Sequence, residues 1–103
     1  ITTMQINIKA TKAKLAPEAH EIIKEKILGL LKYYPNIIEA DVEVGLTSLH
    51  HQKGDIYRAE VNLSVPGRIL RAESETDNIE KSMNQVRDKL KTELIKYKER
   101  QKR

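Results

Sequence analysis

Three stretches of this chain alternate apolar and polar residues with a period of two, and they restrict its architecture more than any other feature. Met4-Gln5-Ile6-Asn7-Ile8-Lys9-Ala10 is apolar at 4, 6, 8 and 10. Ile38-Glu39-Ala40-Asp41-Val42-Glu43-Val44-Gly45-Leu46 repeats the pattern with acids between the apolar positions, and Tyr57 to Val65 repeats it again. Successive side chains of a strand point to opposite faces, so these are strands with one buried and one wet face. Gln5, Asn7, Glu39, Asp41, Glu43, Glu60 and Asn62 fall on the wet face. Such a sheet needs cover on one side only, which places any helices there together. Pro66-Gly67 has the order of a tight turn, Pro before Gly, and returns the chain as a fourth strand over Ile69–Glu73. The polar stretch Leu49–Asp55 reads as a loop.

Two segments carry the helical period instead. Pro17 opens the first where a missing N–H costs nothing, and Glu18 and Glu21 suit the positive end of its dipole. Ala19, Ile23, Ile27, Leu30 and Tyr34 share a narrow arc that predicts the core stripe, with Lys24 and Lys32 well off it, and Pro35-Asn36 ends the helix. Asp77, with Glu80 three residues on, reads as a capping box for the second. Its stripe, Ile79, Met83, Val86, Leu90, Leu94 and Tyr97, keeps one face buried to near the end of the chain. The expected fold class is α+β: a β-α-β-β-β-α two-layer sandwich with a four-stranded sheet and both helices on one face, similar to a double-stranded RNA-binding domain. Strands 2 to 4 form an antiparallel meander, and strand 1 lies parallel to strand 2. With 103 residues the chain is expected to be a single domain, 1–103, in which Ile1-Thr2-Thr3 precede a candidate initiator at Met4 as a remnant of expression or a genuine extension.

Composition removes several function classes. Cysteine is absent, so disulfide frameworks, thiol catalysis and Cys-ligated metals are excluded. The longest apolar run, Ile27-Leu28-Gly29-Leu30-Leu31, falls far short of the ~20 residues of a membrane span, and no charged-then-apolar leader opens the chain. The expectation is a soluble cytoplasmic domain without a membrane partner. No P-loop, nucleophile elbow or Gly-rich dinucleotide turn is present, so neither enzyme, cofactor nor small-molecule substrate is expected. His50-His51 has no third ligand at a useful spacing and reads as a loop pair rather than a metal site. His20 reads as a surface residue. Glu39, Asp41 and Glu43 read as solvated acids that repel RNA, rather than as a calcium site or an acid–base pair.

The net charge of +4 is unevenly spread. Residues 1–35 carry six Lys and three Glu, 36–76 four basic and seven acidic groups, and 77–103 nine basic and five acidic groups. Basic ends around an acidic middle point to one positive surface facing a polyanion. On the last helix Arg87, Lys91, Lys98 and Lys102 share one flank of the apolar stripe, and Lys89, Lys96, Arg100 and Arg103 share the other. The rows extend over roughly 24 Å at 1.5 Å per residue. They could contact many phosphates at once, with affinity that falls steeply as salt rises. The plain alternative is a solvated basic helix whose cations complement its C-terminal dipole.

Several strings, in order, resemble a known family. They are Met4-Gln5-Ile6-Asn7-Ile8; Lys26, Leu30 and Tyr33-Tyr34 at the close of the first helix; Pro66-Gly67, Leu70 and Ala72 in the hairpin; and Asn78-Ile79, Met83-Asn84, Val86, Lys89-Leu90, Leu94, Lys96, Lys98 and Arg100 in the last helix. Together with the element order they resemble the ribosome hibernation promoting factor and ribosome-associated inhibitor family, over nearly the whole chain. The departures are Ala16 where the helix often opens on Thr, Gly29 in place of a family Lys, Asn78-Ile79-Glu80 in place of Asp-hydrophobic-Tyr, and Thr92-Glu93 in place of Arg-Gln. They bear on RNA contacts more than on the fold.

The resemblance implies a non-catalytic factor that lodges in the mRNA/tRNA channel of the small ribosomal subunit, blocks translation under stress and preserves idle ribosomes. The implied partners are small-subunit rRNA and the 70S ribosome. By position Lys26, Lys89, Lys96, Lys98 and Arg100 are its rRNA-phosphate contacts; Arg87, Lys91 and Lys102 join them from the flank argument alone. No catalytic or metal residue is implied, and the chain is either a short form or the N-terminal domain of a long one. Two other readings remain: a general double-stranded RNA-binding module, and a small α+β ligand-binding domain or enzyme.

Overall fold

The structure is a computed structural model and describes residues 4–50 and 54–101. Its elements are β1 (Gln5–Thr11), α1 (Pro17–Leu28), η1 (a 3-10 turn, Gly29–Lys32), β2 (Glu39–His50), β3 (Gly54–Val65), β4 (Arg68–Thr76) and α2 (Ile79–Gln101). The sheet runs β1-β2-β3-β4, with β1 parallel to β2 and the other neighbours antiparallel. This is the expected α+β sandwich, with both helices on its apolar face. Each helix runs back against the strand that precedes it, so α1 and α2 lie parallel, α1 over the β1 side and α2 over β3 and β4.

Strand alternation decides what is buried. Ala40, Val42, Val44, Ala59, Val61, Leu63, Leu70 and Ala72 point inward and meet Ile23, Ile27 and Leu30 from below and Met83, Val86, Leu90 and Leu94 from α2. Without Phe or Trp, the layer is filled by Val, Leu and Ile, with Ala and Met between them; the β-branched ones fit a pleated surface. The core extends to Tyr34 and Tyr97, whose rings meet edge to face at 5.2 Å. Tyr34 Oη donates to Gln101 Oε1 at 3.2 Å, Gln101 Nε2 donates to Tyr97 Oη at 2.8 Å, and Tyr97 Oη donates to the Pro66 carbonyl. The far end of α2 is thereby tied to the segment that follows η1 and to the β3–β4 turn.

Four local expectations are corrected. The segment Leu49–Asp55 is not a loop throughout: β2 runs to His50 and β3 begins at Gly54, with Leu49 opposite Asp55 and His50 opposite Gly54. Backbone pairing carries polar residues into a ladder once the register is set, and a register shift between Leu46 and Ser48 absorbs the irregularity. The reading of His50-His51 lies partly outside the described residues. The cap of α2 is Asn78, not Asp77: Asn78 Oδ1 accepts the Lys81 N–H at 2.7 Å, while Asp77 only pairs with the Lys81 ammonium at 3.7 Å. α1 tightens into η1 at Gly29 before Pro35 stops it, because a short 3-10 turn can satisfy the last carbonyls. Ala10, placed on the buried side of β1, is exposed, since only a little of α1 reaches that edge strand. Ala16 caps α1 without a side-chain hydrogen bond, as its lack of a hydroxyl dictates.

Candidate nucleic-acid interface

α2 places its two rows of cations on opposite flanks, and each flank opens on a different part of the molecule. Arg87 and Lys91 face α1 across a groove of about 340 Å³, where they are joined by Lys26, Lys32, Tyr33, Glu25 and Asp88. Lys89 faces the outer edge of β4 across a second groove of about 530 Å³ with Arg71, Glu73, Thr92 and Glu93. Between the rows an exposed crest carries Asp88, Thr92, Ile95 and Glu99. The rows are therefore two separate positive surfaces rather than one ridge. Lys96, Lys98 and Arg100 are exposed beyond the grooves, and Lys102 lies outside the described residues.

Their surroundings differ. Arg87 is half-buried and reaches Asp88 at 3.4 Å. Lys91 lies over the Tyr33 ring, 5.1 Å from its centroid, and Lys32 lies 5.3 Å from the same centroid. Lys89 donates to the Glu73 carbonyl at 2.7 Å. Among the described residues, Lys26, Lys89, Lys91, Lys96, Lys98 and Arg100 make no ion pair with an acid; Lys96, Lys98 and Arg100 are exposed, whereas Lys89 turns to the β4 edge, where its charge also acts on the Glu73 carboxylate.

The open face of the sheet is the electrostatic opposite. Its two arginines are absorbed by acids. Arg71 Nε donates to Glu60 at 2.6 Å and Arg71 Nη2 to Glu73 at 3.1 Å; Arg58 Nη2 donates to Glu60 at 3.3 Å and also to Glu73. The hydrogen bond from Arg58, with the nearby Arg58 and Arg71 charges, holds the Glu73 carboxyl below the usual carboxylate range, and the same bond raises the Arg58 guanidinium. The Asn7 amide donates to both Glu39 and Asp41, at 2.9 and 2.8 Å. This face keeps its negative charge, and its paired cations leave nothing for a phosphate.

No group of three His, Cys, Asp or Glu residues converges as a metal site among the described residues, and neither of their helices is long and apolar enough to cross a membrane. Two structural features escaped the sequence reading. One is the pairing of Lys32 with Lys91 on Tyr33, which needs the helix packing. The other is Ser82, fully buried on α2, whose single hydroxyl proton lies within reach of both the Tyr57 carbonyl at 3.0 Å and the Asn78 carbonyl at 3.1 Å.

These features define a class of small protein: a two-layer α+β sandwich that carries unpaired positive charge on its last helix and paired charge on its open sheet. The chain belongs to the family described as Sigma 54 modulation protein / S30EA ribosomal protein, whose model matches residues 6–102. It is 26% identical over 98 residues to a ribosome hibernation promotion factor of Picosynechococcus sp., a match that takes in 94% of this chain and 50% of that protein. The chain thus spans about half the length of that curated relative. Its fold is similar to a ribosomal subunit interface protein from Coxiella burnetii, with a TM-score of 0.81 at 22% identity over 92% of this chain and 98% of that one. It is also similar to the N-terminal domain of Protein Y from Thermus thermophilus, with a TM-score of 0.79 at 21% identity over 91% and 99%.

Proposed function

We propose that this chain is a non-catalytic, ribosome-binding translation inhibitor that seats α2 against small-subunit rRNA in the mRNA/tRNA channel and keeps idle ribosomes intact in the cytoplasm under stress. The contacts are Lys26, Arg87, Lys89, Lys91, Lys96, Lys98, Arg100 and Lys102, all to phosphate. Family membership and the hibernation-factor relative support the ribosome as partner. The observation that carries the mode of binding is the placement of unpaired cations on both flanks of one helix while the sheet behind stays acidic. A helix charged on both sides suits a cleft with phosphates on either wall. Recognition is then of backbone and shape rather than of bases, and inhibition needs only occupancy of the channel.

Competition tests this reading. Small subunits are cosedimented with the chain, and transfer RNA is titrated in. Displacement by transfer RNA, with far weaker binding to a plain RNA duplex, is the expected result. Equal affinity for any duplex would favour the general double-stranded RNA-binding module instead. Against that alternative, the chain enters α2 through Asp77-Asn78-Ile79-Glu80, an acidic start with the basic density placed further along the helix.

A further inference from the structure

We propose that Tyr33 is a positioning residue that makes Lys32 and Lys91 into one phosphate-binding pair across the groove between the helices. The proposal deepens the RNA-binding reading above and rests on it. Lys32 comes from η1 and Lys91 from the middle of α2, and nothing in the sequence links them. In the fold both ammonium groups lie over the same ring, neither more than 5.3 Å from its centroid.

Tyr33 is half-buried and packs against the apolar core, so its ring is held by the fold. Two ammonium groups gathered at one ring repel, and each belongs to a long flexible side chain. The negative face of an aromatic ring offsets that repulsion and holds both heads in place. Because each lies within 5.3 Å of one point, their separation cannot exceed twice that distance. Neighbouring phosphates of one strand advance by about 3.4 Å each along a duplex axis, so a pair so confined can hold adjacent phosphates of one strand. Lys26 and Arg87 line the same groove and extend its positive field.

The geometry also sets the class of ligand. A ring already covered by ammonium groups is not a platform for a nucleobase. The groove therefore takes phosphate without regard to sequence, unlike the aromatic surfaces on which single-stranded bases stack. The sequence reading placed Lys32 merely off the core stripe; the ring beside it is what gives that lysine a partner.

The test uses small ribosomal subunits and a salt series. Tyr33→Phe keeps the ring and should bind like the parent chain. Tyr33→Leu keeps apolar bulk but not the quadrupole; it should bind several-fold more weakly, with the slope of log K against log salt smaller by about 0.7–1.8, corresponding to one or two phosphate contacts. Independently of how Tyr33→Leu folds, Lys32→Gln and Lys91→Gln should each cost nearly as much affinity as both together, because each lysine works only with the other. A folded Tyr33→Leu chain with the parental slope, or lysine effects that simply add, would overturn the proposal while leaving ribosome binding standing. If the parent chain shows no salt-dependent binding to small subunits, the RNA-binding reading falls and takes this pair with it.

Discussion

The Lys89 ammonium donates to the Glu73 carbonyl at 2.7 Å, reaching from α2 to the outer edge of β4. The two-residue turn at Pro66-Gly67 makes Val65 and Arg68 a hydrogen-bonded pair, so Glu73, opposite Glu60, is a position whose backbone groups point away from β3. Its carbonyl is thus one of the unpaired acceptors of an edge strand. Lys89 satisfies it and places a positive charge along that edge, a known safeguard against pairing with another chain.

Under the proposed function Lys89 has two tasks, and its substitution should register in both. Lys89→Met keeps the apolar stem and removes the donor. We expect it to cost about 0.5–1.5 kcal/mol in urea unfolding and to lower the salt slope of subunit binding by about 0.7–0.9. Lys96→Met, exposed and without a partner among the described residues, should lower the slope equally with no loss of stability.

The cap of α2 gives a second contrast. Asn78 accepts the Lys81 N–H, whereas Asp77 contributes only an exposed pair at 3.7 Å. Asn78→Ala should cost about 1 kcal/mol and Asp77→Ala no more than about 0.3–0.5 kcal/mol. Denaturant midpoints measured side by side check the order; the reverse order would restore Asp77 as the cap.

Gly45 has no room for a side chain. It lies opposite Thr11 at the last rung of the β1–β2 ladder, and a Cβ there would collide with the Thr11 carbonyl. Gly45→Ala should destabilise the fold by about 1–3 kcal/mol and speed amide exchange in Lys9 to Thr11. A variant as stable as the parent would show that β1 yields freely.

The network on the open sheet face makes stability depend on acid. Arg58 and Arg71 hold the Glu73 carboxyl below its ordinary value. A carboxylate with a lowered folded-state pKa stabilises the fold above its unfolded pKa of about 4.3. That contribution fades as the pH falls through the folded value. Thermal melts from pH 7 down to pH 2 should therefore show a shallower acid decline for Glu73→Gln than for the parent chain. Superimposable curves would mean that the network adds nothing.

Most of the fold could be read in the chain because two periodicities did the work. The period of two in Ala40–Leu46 and Tyr57–Val65 separated core from solvent, although Ile38 on the same register lies exposed ahead of β2 while Ile37 is buried, and the stripe from Ile79 to Tyr97 set the buried face of α2. What could not be read depended on partners distant in sequence. The extension of β2 to His50 follows from pairing with β3, not from the polarity of the segment. The choice of Asn78 over Asp77 turns on where the first helical turn begins, a shift of a single residue. The candidate cations of α2 could be picked out by their spacing and Lys26 by the family resemblance, but their surroundings could not: the Tyr33 ring under Lys91 and the carbonyl at Lys89 exist only once α1 and β4 are packed against α2.

The central claim is that the unneutralised cations of α2 hold rRNA phosphates, and charge reversal at its exposed end tests it most directly. The triple variant Lys96→Glu, Lys98→Glu and Arg100→Glu touches no partner in the described structure, so its circular dichroism should remain that of the folded parent, with only a modest drop in melting temperature from acids at the negative end of the helix. In cosedimentation with small ribosomal subunits at low salt it should no longer pellet, while the parent does and is released as salt rises. A folded triple variant that pellets as well as the parent would contradict the account.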